Sequence, residues 1–249
     1  MSDVDIGRAK RAVRERIWAL VESKGAAPAG VHGYIPDFVG TDRAAARLAE
    51  LEAWRLARVV KANPDRAQLP VRLRALRDGK LLYMAVPRLA TVKPFYLLDP
   101  ASLGGVHEEA ATGAGAAAVA ETVQMDEMRP VDLVVCGSVA VNRDGVRLGK
   151  GAGYSDIEVA LLIEAGLIAP RTAIVTTVHE LQVVDEELPE AEHDFRVDVI
   201  VTPAEVIRCE PSRRPSGIIP GVVTTGMARS IPVLGNRVCR PGDRYREDF

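Results

Sequence analysis

Residues 145–156 have the sequence GVRLGKGAGYSD and lie between an apolar run and a segment with the pattern of a helix. Glycines stand at positions 149, 151 and 153. A glycine backbone can take positive φ, so successive N–H groups can turn towards one anion. Arg147 and Lys150 add full positive charges, and Asp156 carries a side chain of the type that binds magnesium. The loop therefore predicts a cradle for polyphosphate.

The segments on either side of this loop indicate a buried strand and a helix. Residues 132–141 are apolar and rich in β-branched side chains, which is typical of a buried strand in a mostly parallel sheet. Residues 142–145 predict a turn. After the loop, Ser155 and Glu158 match a capping box, and residues 157–163 predict an apolar helix. A helix N-terminus offers free N–H groups and a dipole, and both favour an anion.

Simpler interpretations of the loop remain open. Glycine-rich turns are common, Ser155 can serve only as a helix cap, and Asp156 can simply suit a helix start. The loop is not a P-loop, because it lacks Gly-Lys-Ser/Thr, and it does not have the dinucleotide-binding fingerprint. The combination of Arg147, Lys150 and Tyr154 with the glycines favours the phosphate site.

The segment RLGKGAGYSD, after a strand and an Asp-x-Gly turn, resembles the signature of the 5-formyltetrahydrofolate cyclo-ligase family, the methenyltetrahydrofolate synthetases. Further motifs of the family are matched, in order, by Lys10 and Arg14, Asn63-Pro64-Asp65, Gly79-Lys80, Pro87-Arg88, His193-Asp194 and Val197-Asp198. Together they cover residues 10 to about 205. The likeness is greatest to a divergent branch that includes synthetase-domain-containing proteins, whose second motif is matched by VHELQV at residues 178–183.

Three positions depart from the family's usual pattern. Ala152 stands where the loop usually has a second lysine, and Ser155 stands where it has a second tyrosine. Asp65 replaces a glutamate and is one methylene shorter. Loss of a cation that faces phosphate costs a few kcal/mol of transition-state stabilisation unless another group replaces it. We therefore expect nucleotide binding to persist, whereas full cyclo-ligase activity depends on compensation for Ala152, for instance by an arginine from residues 72–77.

The resemblance implies ATP- and Mg²⁺-dependent conversion of 5-formyltetrahydrofolate to 5,10-methenyltetrahydrofolate, with release of ADP and phosphate. The implied magnesium ligands are Asp156 and Asp194. The implied ATP-binding residues are Lys10, Arg14, Arg147, Gly149, Lys150, Gly151, Gly153 and Tyr154.

Four of the implied residues have roles close to the reaction. Arg147 and Lys150 are the implied catalytic residues, because phosphoryl transfer depends on positioning and on neutralising charge. Asp65 and Tyr154 are the implied substrate-binding residues, with Tyr154 packing against a flat ring. His179 and His193 are interpreted as structural residues without a catalytic role.

Other functions remain open. The first is a nucleotide- or folate-binding protein of the same fold that no longer turns over. The second is an ATP-dependent ligase or kinase that acts on another amide-like substrate. A nicotinamide oxidoreductase is disfavoured by the missing dinucleotide fingerprint, and a nucleic-acid module by the lack of basic charge and of a base-stacking platform.

The chain has 249 residues, of which 47% are hydrophobic and 4% aromatic, and its formal net charge is -2. This composition predicts one large α/β domain with an aliphatic core and argues against nucleic-acid partners. No apolar stretch is long enough to cross a bilayer, and the polar N-terminus excludes a secretory signal. Cys136, Cys209 and Cys239 lack metal-like spacing, so free thiols in a reducing compartment are expected. We expect a cytoplasmic monomer or homodimer that binds ATP and a reduced folate.

Periodic patterns elsewhere predict the remaining elements. Helices are expected over residues 6–22, 42–61 and 68–78, and strands over residues 80–86, 95–98, 171–179, 197–203 and, at an edge, 205–209. Trp54 is expected in the core. The arginines at positions 72, 74 and 77 are expected to be solvated, and residues 103–120 to form a mobile connection or a partly ordered lid.

Strands that alternate with helices predict a three-layer α/β fold with a mostly parallel sheet and helices on both faces. The resemblance implies the cyclo-ligase fold, which is similar to the CoA-transferase-like fold. We expect residues 1–210 to form this domain. Residues 211–249 are expected to be an extension that packs on it, with residues 240–249 disordered.

Overall fold

The structure is a computed structural model, which describes residues 3–210, 213–219 and 222–235. Its α-helices are α1 Asp3–Ser23, α2 Thr41–Ala49, α3 Glu52–Leu56, α4 Leu69–Arg77, α5 His107–Ala110, α6 Gly113–Val119, α7 Tyr154–Glu164 and α8 Thr225–Ser230. Its strands are β1 Val59–Ala62, β2 Leu81–Ala85, β3 Phe95–Leu98, β4 Glu121–Val123, β5 Leu133–Cys136, β6 Ala140–Asn142, β7 Arg147–Leu148, β8 Ala173–Thr177, β9 Val183–Val184, β10 Val199–Val201 and β11 Val206–Arg208.

Eight of these strands form one sheet in the order β11-β10-β8-β5-β1-β2-β3-β4. The five strands from β10 to β2 run parallel, and β11, β3 and β4 pair antiparallel at the two sides. The strands β7, β6 and β9 form a second, small sheet. A mostly parallel sheet with helices was the predicted fold class, and it is confirmed.

Alternate residues of the central strands face two separate cores. In β5, Val134 and Cys136 lie in a core with α7, whereas Leu133 and Val135 lie in a core with α2, α4 and α6. Alternation of this kind is the geometric consequence of a pleated strand that is covered on both faces. The helix α1 packs against the small sheet in a third cluster. The fold therefore has helices on both faces of its sheet.

The predicted helix over residues 42–61 is wrong in its last part, because residues 59–62 form the central strand β1. The helical part is shorter and is divided into α2 and α3. The strand was not predicted because Lys61 interrupts the apolar run. In the structure, Lys61 is fully buried and forms an ion pair with Glu158. Trp54 lies in the core as expected, with 2% of its surface exposed, and it donates a hydrogen bond to Asp78.

Residues 103–120 do not form a mobile connection or a lid. They contain α5 and α6, in which Ala110 and Ala116 are fully buried, and Ala111, between the two helices, is fully buried as well. These helices contact α4 and β3 and belong to the core with α2 and α4. The small side chains of these helices give little apolar pattern in the sequence, and they permit close packing. A Cβ at Gly115 would stand 1.9 Å from the carbonyl oxygen of Glu109.

The predicted strand over residues 132–141 is two strands that belong to different sheets. β5 ends at Cys136, and β6 begins at Ala140 after the chain has left the main sheet. Gly137 lies at the break, where a Cβ would come within 2.8 Å of both Gln68 Oε1 and Ile35 Cγ2. Any side chain at this position would displace one of these neighbours, so the break depends on glycine.

Gly145 provides a sharp test of the turn between β6 and β7. Its φ is +81°, and a Cβ there would stand 2.2 Å from the carbonyl oxygen of Val197. We expect Gly145→Ala to lower the free energy of unfolding by about 1–3 kcal/mol from backbone strain alone, with the clash adding to this. The matched control is Gly166→Ala, since Gly166 also has positive φ (+70°) but open space around it. Equal losses for the two variants in urea titrations would contradict the predicted clash.

The described part of the C-terminal segment packs on the domain. Ile231 and Leu234 are fully buried in the core that contains α7, and Met227 packs against that core from α8. Cys239 and the predicted disorder of residues 240–249 lie outside the described residues. The division into residues 1–210 and 211–249 stays a prediction. None of the helices within the described ranges combines the length and apolarity that a bilayer crossing requires.

The thiols of Cys136 and Cys209 are free and buried. Burial raises the pKa of both thiols, and that of Cys209 to about 11. The thiolate is the reactive form of cysteine. In a Cys239→Ser variant, we therefore expect neither Cys136 nor Cys209 to react with a thiol reagent at about pH 8 while the protein is folded. Both thiols should react once guanidinium unfolds the chain. Rapid modification under native conditions would contradict the buried placement.

Candidate active site

A cavity of about 1260 Å³ lies where the segments that follow β1, β2 and β5 meet, and Asn63, Pro87 and Gly137 belong to its wall. Ligands of open α/β sheets bind at this edge, outside the carboxyl ends of the strands. All eleven residues that the sequence analysis assigned to the site line this one cavity. They are Lys10, Arg14, Asp65, Arg147, Gly149, Lys150, Gly151, Gly153, Tyr154, Asp156 and Asp194.

The glycine loop forms one wall of the cavity and leads directly into α7. Gly151 and Gly153 have φ of +100° and +72°, so both take the backbone conformation that favours glycine. Gly149 has a different constraint, since a Cβ there would stand 2.7 Å from a guanidinium nitrogen of the buried Arg147 side chain, which would have to shift. Arg14 Nε donates a hydrogen bond of 2.6 Å to the carbonyl oxygen of Gly149. The N-terminal helix therefore holds the loop through Arg14.

The predicted capping box at Ser155 and Glu158 is not formed. α7 begins at Tyr154 with Gly153 as its N-cap and without a side-chain cap. Ser155 Oγ instead accepts a hydrogen bond of 2.8 Å from Asn63 Nδ2, and Glu158 pairs with Lys61. Because no side chain caps the helix, its first N–H groups are left for a ligand.

Three ion pairs join residues that the sequence predicts for the site. Lys10 pairs with Asp194, and the two residues are buried. Lys150 Nζ lies 3.2 Å from Asp65 Oδ1, with 40% of the lysine side chain exposed. Arg147 donates a hydrogen bond of 3.1 Å to Asp156. In each pair, a cation that is predicted to bind phosphate or to act in catalysis faces a carboxylate that is predicted to bind magnesium or the substrate.

Arg147 is the most enclosed cation of the site. Its guanidinium lies 4.5 Å from the centre of the Phe195 ring, and one nitrogen contacts the carbonyl oxygen of Gly137 at 3.4 Å. Burial alone would lower the pKa of Arg147, but the facing Asp156 carboxylate leaves that pKa raised, so the guanidinium stays charged. Nε of Arg147 has no hydrogen-bond partner among the described residues.

Two other site groups are perturbed by burial. Burial raises the pKa of Asp156, opposed by the charge of Arg147 and reinforced by that of Asp194. A raised pKa is expected for a carboxylate whose cationic partner does not fully offset the loss of hydration on burial. Burial also lowers the pKa of Arg14, an effect that Asp194 counteracts. The site therefore contains charges with reduced hydration, which strengthens their interaction with an ionic ligand.

Arg72 was predicted to be solvated, and this is wrong. Only 1% of its surface is exposed, and its guanidinium donates hydrogen bonds to the backbone carbonyls of Asn63, Asp65 and Ala111. Burial lowers the pKa of Arg72 to about 10. Arg72 therefore holds the backbone of the segment that contains Asp65, and its buried guanidinium cannot replace a cation of the glycine loop.

Besides Arg14 and Arg147, two further arginines border the cavity. Arg11 and Arg88 line it, and no carboxylate of the described part of the chain lies within ion-pair distance of either. Arg88 and the buried Leu89 have φ of +60° and +52°, a conformation that non-glycine residues rarely take. Strain of this kind persists only where the surroundings impose it, and it is concentrated at functional sites. Arg11 and Arg88 thus add positive charge to the cavity beyond the residues that the sequence predicts for the site.

The two histidines of the matched motifs have structural contacts. His179 Nδ1 accepts a hydrogen bond of 3.1 Å from the backbone N–H of Leu181 and so begins the turn over residues 180–182. His193 lines the cavity, with Nε2 at 3.7 Å from Asp194 Oδ1. The interpretation of both histidines as structural residues stays a prediction.

The donor set of the cavity is compatible with magnesium bound together with a nucleotide. Within the described residues there is no group of three or more His, Cys, Asp or Glu side chains arranged as a metal site. Magnesium in nucleotide sites uses one or two carboxylates, and phosphates and water supply the remaining ligands. Asp156 and Asp194 line the same cavity and interact electrostatically. Two such carboxylates fit this need.

Comparison with known proteins identifies the family of the chain. Residues 6–203 match the model of the 5-formyltetrahydrofolate cyclo-ligase family. The methenyltetrahydrofolate synthase domain-containing protein of Mus musculus is 40% identical over 241 residues, covering 92% of this chain and 63% of that protein. Its Homo sapiens counterpart is 38% identical over 239 residues, covering 92% of this chain and 61% of that protein. The chain thus spans about three fifths of the length of these relatives.

A solved structure shares the fold. The NMR structure of Aquifex aeolicus 5,10-methenyltetrahydrofolate synthetase has a TM-score of 0.52 and 22% sequence identity, and the match covers 82% of this chain and 94% of that chain. At this identity the likeness concerns the fold alone. From the match over residues 6–203 and the identity to these relatives, the chain belongs to the 5-formyltetrahydrofolate cyclo-ligase family.

Proposed function

We propose that this protein converts 5-formyltetrahydrofolate to 5,10-methenyltetrahydrofolate with ATP and Mg²⁺, releasing ADP and phosphate. The observation that carries the proposal is the convergence of eleven motif residues, from widely separated parts of the chain, on one cavity of about 1260 Å³. The family match over residues 6–203 supports the same reaction class.

The proposed reaction has two chemical steps. The formyl oxygen of the folate attacks the γ-phosphorus of ATP, and ADP leaves. The second folate nitrogen then attacks the formyl carbon, loses its proton, and the oxygen departs as phosphate. Because a formamide oxygen is a poor leaving group, its phosphorylation makes the ring closure possible. The protein needs to supply positioning and charge neutralisation.

The polyphosphate would bind along the glycine loop. The uncapped N-terminus of α7 and the N–H groups of Gly151 and Gly153 supply donors, and Arg14 approaches the loop from α1. Lys150 is exposed enough to leave Asp65, since an ion pair of this exposure contributes less than about 1 kcal/mol. Its charge can then move to the transferred phosphate, while Arg147 stays fixed against Phe195.

Asp65 and Tyr154 would hold the folate. Once Lys150 has moved to phosphate, the Asp65 carboxylate is available to accept hydrogen bonds from the pteridine ring. Tyr154 lines the same cavity, and its ring can pack against a flat ligand. The Asp156 and Asp194 carboxylates would bind Mg²⁺, which neutralises phosphate charge when bound.

The proposal is tested by mixing the protein with 5-formyltetrahydrofolate, ATP and MgCl₂ and following the near-ultraviolet absorbance of the methenyl product. Appearance of the band with equimolar ADP supports the proposal. ATP-dependent thermal stabilisation without a band would overturn it in favour of a nucleotide-binding protein. Such a protein is the second candidate, because Ala152 brings no second charge to the glycine loop and Asp65 is one methylene shorter than the family's usual glutamate.

We further propose that the protein acts in the cytoplasm as a monomer or homodimer, with ATP and a reduced folate as its small-molecule partners. The buried free thiols of Cys136 and Cys209 suit a reducing compartment.

A further inference from the structure

A chain of four polar side chains lies under the floor of the cavity and joins β1 to α7. Lys61, which is fully buried, forms an ion pair with Glu158. Lys61 Nζ also donates a hydrogen bond of 2.6 Å to Asn63 Oδ1. Asn63 Nδ2 in turn donates a hydrogen bond of 2.8 Å to Ser155 Oγ. Glu158, Asn63 and Ser155 border the cavity, whereas Lys61 lies behind them.

The orientation of the Asn63 amide is fixed by its partners. A lysine ammonium can only donate hydrogen bonds, so the oxygen of the amide must face Lys61. The amide nitrogen must then face Ser155, whose hydroxyl can accept. A rotation of the amide by half a turn would set two donors against each other at Lys61. Only one arrangement of the three side chains therefore satisfies all of them.

The backbone of the same segment is held as firmly as its side chain. The N–H of Asn63 donates to the carbonyl oxygen of Val135 at 3.1 Å, which continues the pairing of β1 with β5. Arg72 donates to the carbonyl oxygens of Asn63 and Asp65. Asp65 is two residues beyond Asn63, and Asp156 directly follows Ser155. The Asn63–Ser155 hydrogen bond thus joins the segment of one candidate ligand group to the segment of another.

Stability alone gives a weak reason for this arrangement. A buried ion pair is often no more stabilising than apolar side chains of similar volume. Loss of either partner of a buried hydrogen bond costs free energy, so each polar side chain that is added to such a network adds a way to lose stability. What such a network supplies is one defined geometry, because its members are satisfied in a single arrangement only.

We propose that Asn63, held by Lys61 and Ser155, is a positioning residue that couples the Asp65 segment to the N-terminus of α7. This inference rests on the proposed function and deepens it: Asp65 holds the folate and α7 holds the phosphates, so their distance sets the approach of the formyl oxygen to the γ-phosphate. Asn63 acts through Asp65 and Asp156 and does not itself react.

The test uses Ser155→Ala, which removes the half-buried end of the chain of hydrogen bonds and leaves the Lys61–Glu158 pair intact. We expect hydrogen exchange in the peptide that covers residues 63–66 to become about fivefold faster or more, although these residues lie far from 155 in sequence. We expect kcat to fall roughly tenfold to a hundredfold while KM for ATP changes little, because misplacement of reactants affects the chemical step. Ser155→Thr keeps the hydroxyl and should restore both properties.

The matched control is Thr172→Ala. Thr172 is also buried, and its hydroxyl donates to the carbonyl oxygen of Val131 at 2.9 Å, but it precedes β8 at the opposite end of the sheet. This variant should lose stability without a change in kcat or in the exchange of residues 63–66. Unchanged exchange of these residues in Ser155→Ala, or faster exchange spread evenly over all amides, would overturn the coupling. If the unsubstituted protein forms no methenyl product, the proposed reaction fails, while the exchange experiment still decides the coupling.

Discussion

Replacement of Lys150 by alanine is expected to lower kcat for formation of the methenyl product by about 10²–10³-fold, the range seen when one preorganised group facing developing charge is removed. Lys150 lies in the glycine loop with 40% of its side chain exposed, and its ion pair with Asp65 is the least enclosed of the three in the cavity. Ala152 next to it brings no second charge. The remaining cations should therefore compensate poorly.

Stability should hardly change in this variant, because an exposed ion pair contributes at most about 1 kcal/mol. The matched control is Lys93→Ala. Lys93 pairs with Glu127 at 3.0 Å, and 39% of its side chain is exposed, but it does not line the cavity. A loss of turnover in Lys150→Ala that Lys93→Ala shares, or a Lys150→Ala enzyme with full kcat, would contradict the proposed role of Lys150.

Replacement of Lys61 by methionine is expected to lower the free energy of unfolding by about 3–5 kcal/mol, because it leaves the Glu158 carboxylate buried without its partner. The side chain of Lys61 is 0% exposed and that of Glu158 is 6% exposed, so little water reaches the carboxylate in place of the lost cation. The measurement is a guanidinium titration followed by circular dichroism.

The double variant Lys61→Met/Glu158→Leu separates the two causes of such a loss. It removes both charges and leaves side chains of comparable bulk, so its stability should return to within about 1–2 kcal/mol of the starting protein or exceed it. If the double variant were as unstable as Lys61→Met, the loss would come from packing around β1 and not from an uncompensated charge. Equal stability of Lys61→Met and the unsubstituted protein would contradict the buried pair altogether.

Much of the fold could be predicted because several strands carry their own apolar pattern. The strands at 95–98, 173–177 and 199–201 lie within predicted segments, and so does the edge strand at 206–208. β1 was missed because Lys61 breaks the pattern, and its burial depends on Glu158, which lies 97 residues later in the chain. β7 and β9 have only two residues each and exist through pairing with β6. Local sequence carries no signal for such strands.

The candidate site was predicted through its motifs, and its contacts could not be. The glycine loop, the N-terminal cations and the late aspartate were all recognisable as separate segments. The ion pairs between these segments could not be predicted, since Lys10 contacts Asp194 and Lys150 contacts Asp65 only after the sheet has formed. The same holds for Arg72, which has the position of a solvated residue on a basic helix. Its burial follows from the carbonyl oxygens of Asn63 and Asp65, which the sequence does not reveal as acceptors.

The packing of α1 has a consequence for the nascent chain on the ribosome. Ile17, Trp18 and Val21 bury their side chains against a cluster whose other members include Val139 and Leu188. At roughly 5–20 residues per second, translation leaves this helix without its partners from residues 139–188 for on the order of ten seconds, while nearer members of the cluster such as Val31 and Phe38 follow directly. Its apolar face is then open to chaperones. Because Lys10 and Arg14 belong to the same helix, the chain cannot complete its anion-binding wall until almost the whole domain has been synthesised.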